Sequence, residues 1–212
     1  MITIATIEHI RRYIAQITED SVFSIRELLS FGSRPAVDRA VGRLVQCGSL
    51  LRVARGLYIR PSGKPVDFAA RQLAEVKARA FGKQVYTCGK EGLSLFWPQE
   101  AVEKTVEAVF AVNGSSSSFM SSAGRIYFKQ LCPRYLRYGD THLGLTIRAL
   151  LHLGKANLDP QLITGLYLHA EGMGLALQWL PAWLADLAWR CNGCRSGLPT
   201  DLSNCGKNRE RA

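Results

Sequence analysis

Residues 31–60 read FGSRPAVDRAVGRLVQCGSLLRVARGLYIR, and the spacing of the apolar positions changes partway along. Val37, Ala40, Val41, Leu44 and Val45 recur at intervals that put them on one face of a helix. Ser33 stands at the N-cap position, and Pro35 falls in the first turn, where its missing N–H costs nothing. Gly48 supplies the stop. The pattern predicts a helix over 34–47. Advancing 100° per residue puts Pro35, Arg39, Gly42, Arg43 and Gln46 on its far side. Beyond Gly48, Leu50–Val53 and Leu57–Arg60 read as two strands joined through Ala54-Arg55-Gly56.

Upstream, Ile4, Ile7, Ile10, Ile14 and Ile17 form one stripe of a first helix, with Glu8, His9, Arg11, Arg12 and Gln16 opposite. Val22 and Phe23 read as a short extended piece. Ser24 followed by Glu27 makes a capping box for a second helix that carries Ile25, Leu28 and Leu29 and ends at Phe31-Gly32. Three short helices and a hairpin within about 60 residues are the pattern of a winged helix-turn-helix. That domain is expected over 1–61, and Pro61-Ser-Gly-Lys-Pro65 reads as a linker.

The fold class expected overall is α+β, with this N-terminal winged helix-turn-helix followed by a mixed α/β domain over 66–190. Helices are expected at 67–80, 91–96, 141–153, 159–169 and 175–190, and strands at 84–87, 106–112 and 125–131. Asn113-Gly-Ser-Ser-Ser-Ser118 reads as a flexible connection between the last two strands; it lacks the Lys-Ser or Lys-Thr of a phosphate loop. Residues 191–212, rich in Gly, Asn and charge, read as a frayed tail. There is no internal repeat.

The chain has 212 residues, 47% apolar and 21% charged, an ordinary globular balance. Its net charge of +10 is unusual and favours a polyanionic partner. Half of that excess, +5, lies in residues 1–64. The N-terminus lacks a basic leader and cleavage site, and the apolar stretch Met173–Trp189 is interrupted by Gln178, Pro181 and Asp186. A cytoplasmic protein without a membrane partner is expected. Six cysteines are scattered. Cys191, Cys194 and Cys205 hint at a zinc knuckle but leave it one ligand short, so free thiols are expected and no metal or cofactor is assigned.

On the predicted helix 34–47, Arg39 and Arg43 lie one turn apart, and each guanidinium can fork onto the O6 and N7 of a guanine in double-stranded DNA. Gln46 adds a contact near the far end, while Ser33 and Arg34 at the positive helix terminus suit a phosphate. Arg52, Arg55 and Arg60 line the hairpin, with Arg55 at its tip. Arg125, Lys129, Arg134, Arg137 and Arg148, interleaved with Tyr127, Tyr135 and Tyr138, form a second basic group. It either meets nucleic acid or an acidic partner, or is solvated edge.

Catalytic constellations are scarce. His9, His142, His152 and His169 are isolated from any nucleophile motif. Glu75-Val-Lys77 echoes a nuclease motif but falls on an expected helix. Phe31-Gly-Ser33 echoes a nucleotidyltransferase opening without its pair of carboxylates. No enzyme activity is expected.

The wording of residues 31–45 and 51–58 resembles the AbiEi-like antitoxin family of bacteria, whose usual phrases are close to GSR-x-AVD-x-AL-x-RL and R-x-GRGLY. Cys88-Gly-Lys-Glu-Gly-Leu-Ser-Leu95, Arg125-Ile-Tyr-Phe-Lys129 and Leu145–Gly154 extend the resemblance more loosely. The chain departs from it at Ala54, where glycine is usual, and after about residue 190. The resemblance implies a winged helix that binds the operator of its own operon and a C-terminal domain needed for antitoxicity. It also implies a functional partner, a nucleotidyltransferase-like toxin, without requiring a stable complex. The rival readings are a stand-alone winged-helix regulator whose second domain senses a ligand or dimerises, and a nuclease-like enzyme, disfavoured by the missing carboxylates.

Overall fold

A computed structural model describes residues 2–89, 107–154 and 180–186. The chain divides into two compact units, Met1–Leu153 and Gly154–Ala212. Of the second, the described residues include a helical turn over 182–186, with Leu180 and Leu184 buried. The expected helices at 91–96 and 159–169, most of that at 175–190, and the tail lie outside the described residues.

The first unit is α+β, with several helices around one seven-stranded sheet. The isoleucine stripe forms α1 (Ile2–Gln16) and buries Ile7, Ile10 and Ile14. After β1 (Phe23–Ser24), the expected capping box closes. The Ser24 amide donates to Glu27 Oε1 at 2.7 Å, and the Arg26 amide donates to Ser24 Oγ at 3.2 Å. The segment it starts, Ile25–Phe31, is a 3-10 helix. α2 (Arg34–Gln46) follows, with Pro35 in its first turn. Ser33 occupies the N-cap, yet its hydroxyl makes no capping bond.

Strands β2 (Leu51–Ala54) and β3 (Leu57–Ile59) form the expected hairpin through a two-residue turn at Arg55-Gly56. Gly56 has φ of +79°, a backbone setting that side-chain-bearing residues rarely adopt. Beyond residues 61–65, the chain runs through α3 (Ala70–Arg79), β4 (Val85–Thr87) and β5 (Glu107–Val112). It continues through β6 (Ser117–Ser121), β7 (Gly124–Gln130), α4 (Pro133–Leu136) and α5 (His142–Leu153).

The spatial strand order is β1-β3-β2-β6-β7-β5-β4. Strands from both sides of the 61–65 segment therefore share one sheet, joined where Ala54 pairs with Ser121 and the Ser122 amide donates to Val53 O. β5 and β7 run parallel over six residue pairs; the other pairings are antiparallel.

β3 is a wall between two cores. Its side chains alternate, as a strand's must. Tyr58 faces a cluster with Ile10, Leu28, Val37, Val41 and Leu44, while Leu57 and Ile59 face a second with Phe68, Leu73, Phe110, Ile126 and Phe128. Fully burying a side chain of this kind contributes about 1.5–3 kcal/mol.

One expectation of the sequence is overturned here. Only the first part of 113–118 is a turn; Ser117–Ser121 is a strand. Serine has little intrinsic preference for strands. The segment is extended because its backbone pairs with β7, from Ser117 opposite Phe128 to Ser121 opposite Gly124.

Candidate nucleic-acid interface

α2 separates its residues by face. Ala36, Val37, Ala40, Val41 and Leu44 are buried, whereas Arg34, Pro35, Asp38, Arg39, Gly42, Arg43 and Gln46 are exposed, as is Ser33 before them. The rotation expected from the sequence is the one observed.

Arg34 Nε lies 2.9 Å from Asp38 Oδ2, an exposed pair one turn apart. Such a pair contributes about 0.3–0.5 kcal/mol. Arg39 Nε donates to the Pro35 carbonyl oxygen at 3.3 Å. Among the described residues, no carboxylate pairs with Arg39 or Arg43 and nothing hydrogen-bonds the Gln46 side chain. Three arginines against one aspartate leave this face positive.

The hairpin is not a free ribbon, because one edge of β2 is held by β6 near the turn. Arg52 and Arg55 are exposed. Arg52 Nε donates to Ala54 O at 3.3 Å, and the carbonyl of Arg55 accepts from Lys77 Nζ. Arg60 is committed elsewhere. Its guanidinium donates to Ala15 O at 3.1 Å and Ile17 O at 3.5 Å, and it meets Glu19 Oε1 at 3.1 Å. It thus satisfies carbonyls left over at the end of α1, where a cation also opposes the helix dipole favourably. The sequence grouped Arg60 with Arg52 and Arg55, but its guanidinium serves the fold.

The second basic group divides. Arg125, Lys129, Arg134 and Arg137 are exposed. Arg125 reaches the Tyr127 hydroxyl at 3.5 Å, and Arg134 lies 4.7 Å from the centre of the Tyr135 ring. Arg148 does not belong with them. It is fully buried, donating to Thr87 O and Gly139 O at 2.7 Å each, and its Nη2 meets Asp140 Oδ1 at 2.5 Å. Burial pulls its pKa down, against the opposing effect of Asp140. A charge this deep persists only when paired and hydrogen-bonded, so Arg148 is structural rather than a surface contact.

Asp140 is the hub of a cluster that sequence reasoning missed. Oδ2 meets Arg71 Nη2 at 2.7 Å and accepts from Thr87 Oγ1 at 3.2 Å, while Oδ1 accepts from the Thr87 amide at 3.0 Å. One signal was present: in HLGLTIRALLHL the arginine stands in a helix that is apolar nearly all round, and such a helix is buried.

The fold and the exposed face of α2 together define a basic α+β protein that presents an arginine-bearing helix to solvent. Residues 9–167, about three quarters of the chain, match the model of a family of unknown function, DUF6088, and the chain belongs to that family. No curated protein and no solved structure matches it. No helix among the described residues is long and apolar enough to cross a membrane.

Proposed function

We propose that this chain binds double-stranded DNA by laying α2 in the major groove, and that it acts as the antitoxin and autorepressor of a toxin–antitoxin operon. The observation that carries the DNA-binding part is the exposed face of α2, where Arg39, Arg43 and Gln46 project opposite a fully buried apolar stripe. Helix-turn-helix proteins read base edges with such a face. The capped Ile25–Phe31 helix before α2 and the hairpin after it support a winged helix-turn-helix arrangement. Ser33 and Arg34 serve as phosphate contacts at the start of α2, and Arg52 and Arg55 as cations on the hairpin.

The antitoxin part rests on the resemblance of residues 31–45 and 51–58 to AbiEi-like antitoxins. In this reading the protein is cytoplasmic and not an enzyme. It represses by occupying its own operator and counters a nucleotidyltransferase-like toxin. Two experiments test the halves separately. Purified protein is expected to retard a duplex carrying the DNA upstream of its gene in preference to an unrelated duplex at low ionic strength; equal retardation of both rejects specific readout. Co-expression with the neighbouring gene is expected to relieve that gene's toxicity. A neighbour that is harmless alone, or toxic regardless, rejects the antitoxin role.

A further inference from the structure

Beside the hairpin turn lies a cleft of about 340 Å³, walled by α3 and the residues after it, the turn, and the serine strand β6. A volume in this range suits a small molecule and excludes a duplex (ligand pockets span roughly 300–1,000 Å³). Arg55, Lys77 and Lys83 line it from three separate segments, together with Ser115, Ser117 and Ser118. Phe119 and Phe128, 5.6 Å apart, form an apolar wall.

The charges are not compensated. Among the described residues no carboxylate pairs with Arg55, Lys77 or Lys83. The ammonium of Lys77 is held by the Arg55 carbonyl and stands 5.4 Å from the Phe119 ring and 5.7 Å from that of Phe81. Burial lowers its pKa, and repulsion from Arg55 and Arg52 lowers it further. Lys83 Nζ donates to Ser115 O at 2.8 Å, which fixes a second cation at the rim. Cations gathered against apolar walls without a counter-charge are unfavourable in the empty protein, and an anion relieves them.

We propose that this cleft binds a small organic phosphate, its phosphate among Lys77, Lys83 and Arg55 and its apolar part against Phe119 and Phe128. The serine run that lacks a phosphate-loop signature thereby acquires a role as one wall of the site. The inference goes beyond DNA binding and does not depend on it, because binding is read on the protein alone.

The test is calorimetric titration of the full chain with three probes: adenosine diphosphate, inorganic pyrophosphate and adenosine. Adenosine diphosphate is expected to bind most tightly, pyrophosphate more weakly, and adenosine not measurably. Lys77→Met is expected to weaken adenosine diphosphate binding at least about tenfold, as loss of a charge-assisted contact does. Lys83→Met, at the rim, is expected to weaken it as well and serves should Lys77→Met fail to fold. The proposal is overturned if none of the probes binds, if adenosine binds as tightly as its diphosphate, or if pyrophosphate matches adenosine diphosphate. Folded lysine variants that bind like the parent also overturn it.

Discussion

Arg148 Nη2 lies 2.5 Å from Asp140 Oδ1, and this pair ties the middle of α5 and the turn before it to the end of β4 through Thr87. Arg71 of α3 closes the cluster from the other oxygen of Asp140. Losing Arg148 leaves Asp140, which is part-exposed, still paired with Arg71, but takes the donor from the carbonyl oxygens of Thr87 and Gly139; leaving buried acceptors unsatisfied costs about 1–3 kcal/mol. Arg148→Met should lower unfolding stability in urea by that order. Adding Asp140→Leu should deepen the loss, because Arg71 and the Thr87 amide then lose their acceptor as well. A single variant as stable as the parent would show that Arg148 does not hold the elements together.

Gly144 makes that arrangement sterically feasible. A Cβ there would run into the carbonyl oxygen of Gly139, the same oxygen that accepts from Arg148 Nη1. Gly144→Ala is expected to lower the thermal midpoint, although alanine is the better helix former. Overpacking of this kind costs typically 1–3 kcal/mol, against roughly 1 kcal/mol of propensity gained. An unchanged or raised midpoint would mean that the 138–140 turn can move aside.

These contacts mark where the sequence stops being readable. α2 is legible because Val37, Ala40, Val41 and Leu44 repeat locally and Ser33, Pro35 and Gly48 mark its limits. The hairpin is legible because residues 55–56 are turn residues between two apolar runs. The Asp140 cluster joins residues up to 69 apart in the chain, and no periodicity carries such a pairing. Ser117–Ser121 is a strand only because β7 lies beside it, so its own residues give no sign of it. Arg60 and Arg148 look like surface cations in a list of charges; the leftover carbonyls of α1 and the Asp140 cluster claim them instead.

Lys77 adds a pH dependence whose sign is determined by its surroundings. Burial first, then Arg55 and Arg52, hold its pKa below the ordinary lysine range. The folded chain therefore gives up this proton at a lower pH than the unfolded chain, and between those two values the unfolded state binds more protons. Stability from this group rises with pH through that window. Below it, charged Lys77 opposes folding. Lys77→Met should thus gain relative to the parent at neutral pH, and the difference should move back toward the parent as pH climbs into the ordinary lysine range. Chemical denaturation of both proteins across that range checks it; a constant difference would show that Lys77 titrates like a free lysine.

Arg60 separates a structural arginine from the DNA-contacting role proposed for Arg39 and Arg43. With its guanidinium on Ala15 O, Ile17 O and Glu19, Arg60→Ala should lower stability by about 0.5–1.5 kcal/mol, the net worth of a hydrogen bond whose acceptor water can reach. At a temperature where the variant stays folded, its preference for operator over unrelated DNA should equal the parent's. A selective loss of operator binding in the folded variant would return Arg60 to the interface.

Arg39 and Arg43 make the opposite prediction. Both are exposed, without a carboxylate partner, on a helix whose other face is packed against α1 and the 3-10 helix. Replacing both by alanine removes no buried contact, so the thermal midpoint should stay within a degree or two, as surface substitutions usually do. Each bidentate arginine–guanine contact is worth roughly 1–3 kcal/mol of discrimination. The double variant should therefore lose about tenfold or more in preference for operator DNA while keeping weak, salt-sensitive binding to any duplex through the remaining cations. Competition mobility-shift titrations at two salt concentrations measure both quantities. A double variant that still prefers its operator as the parent does would mean that the groove is read by another element, with α2 acting only as packing.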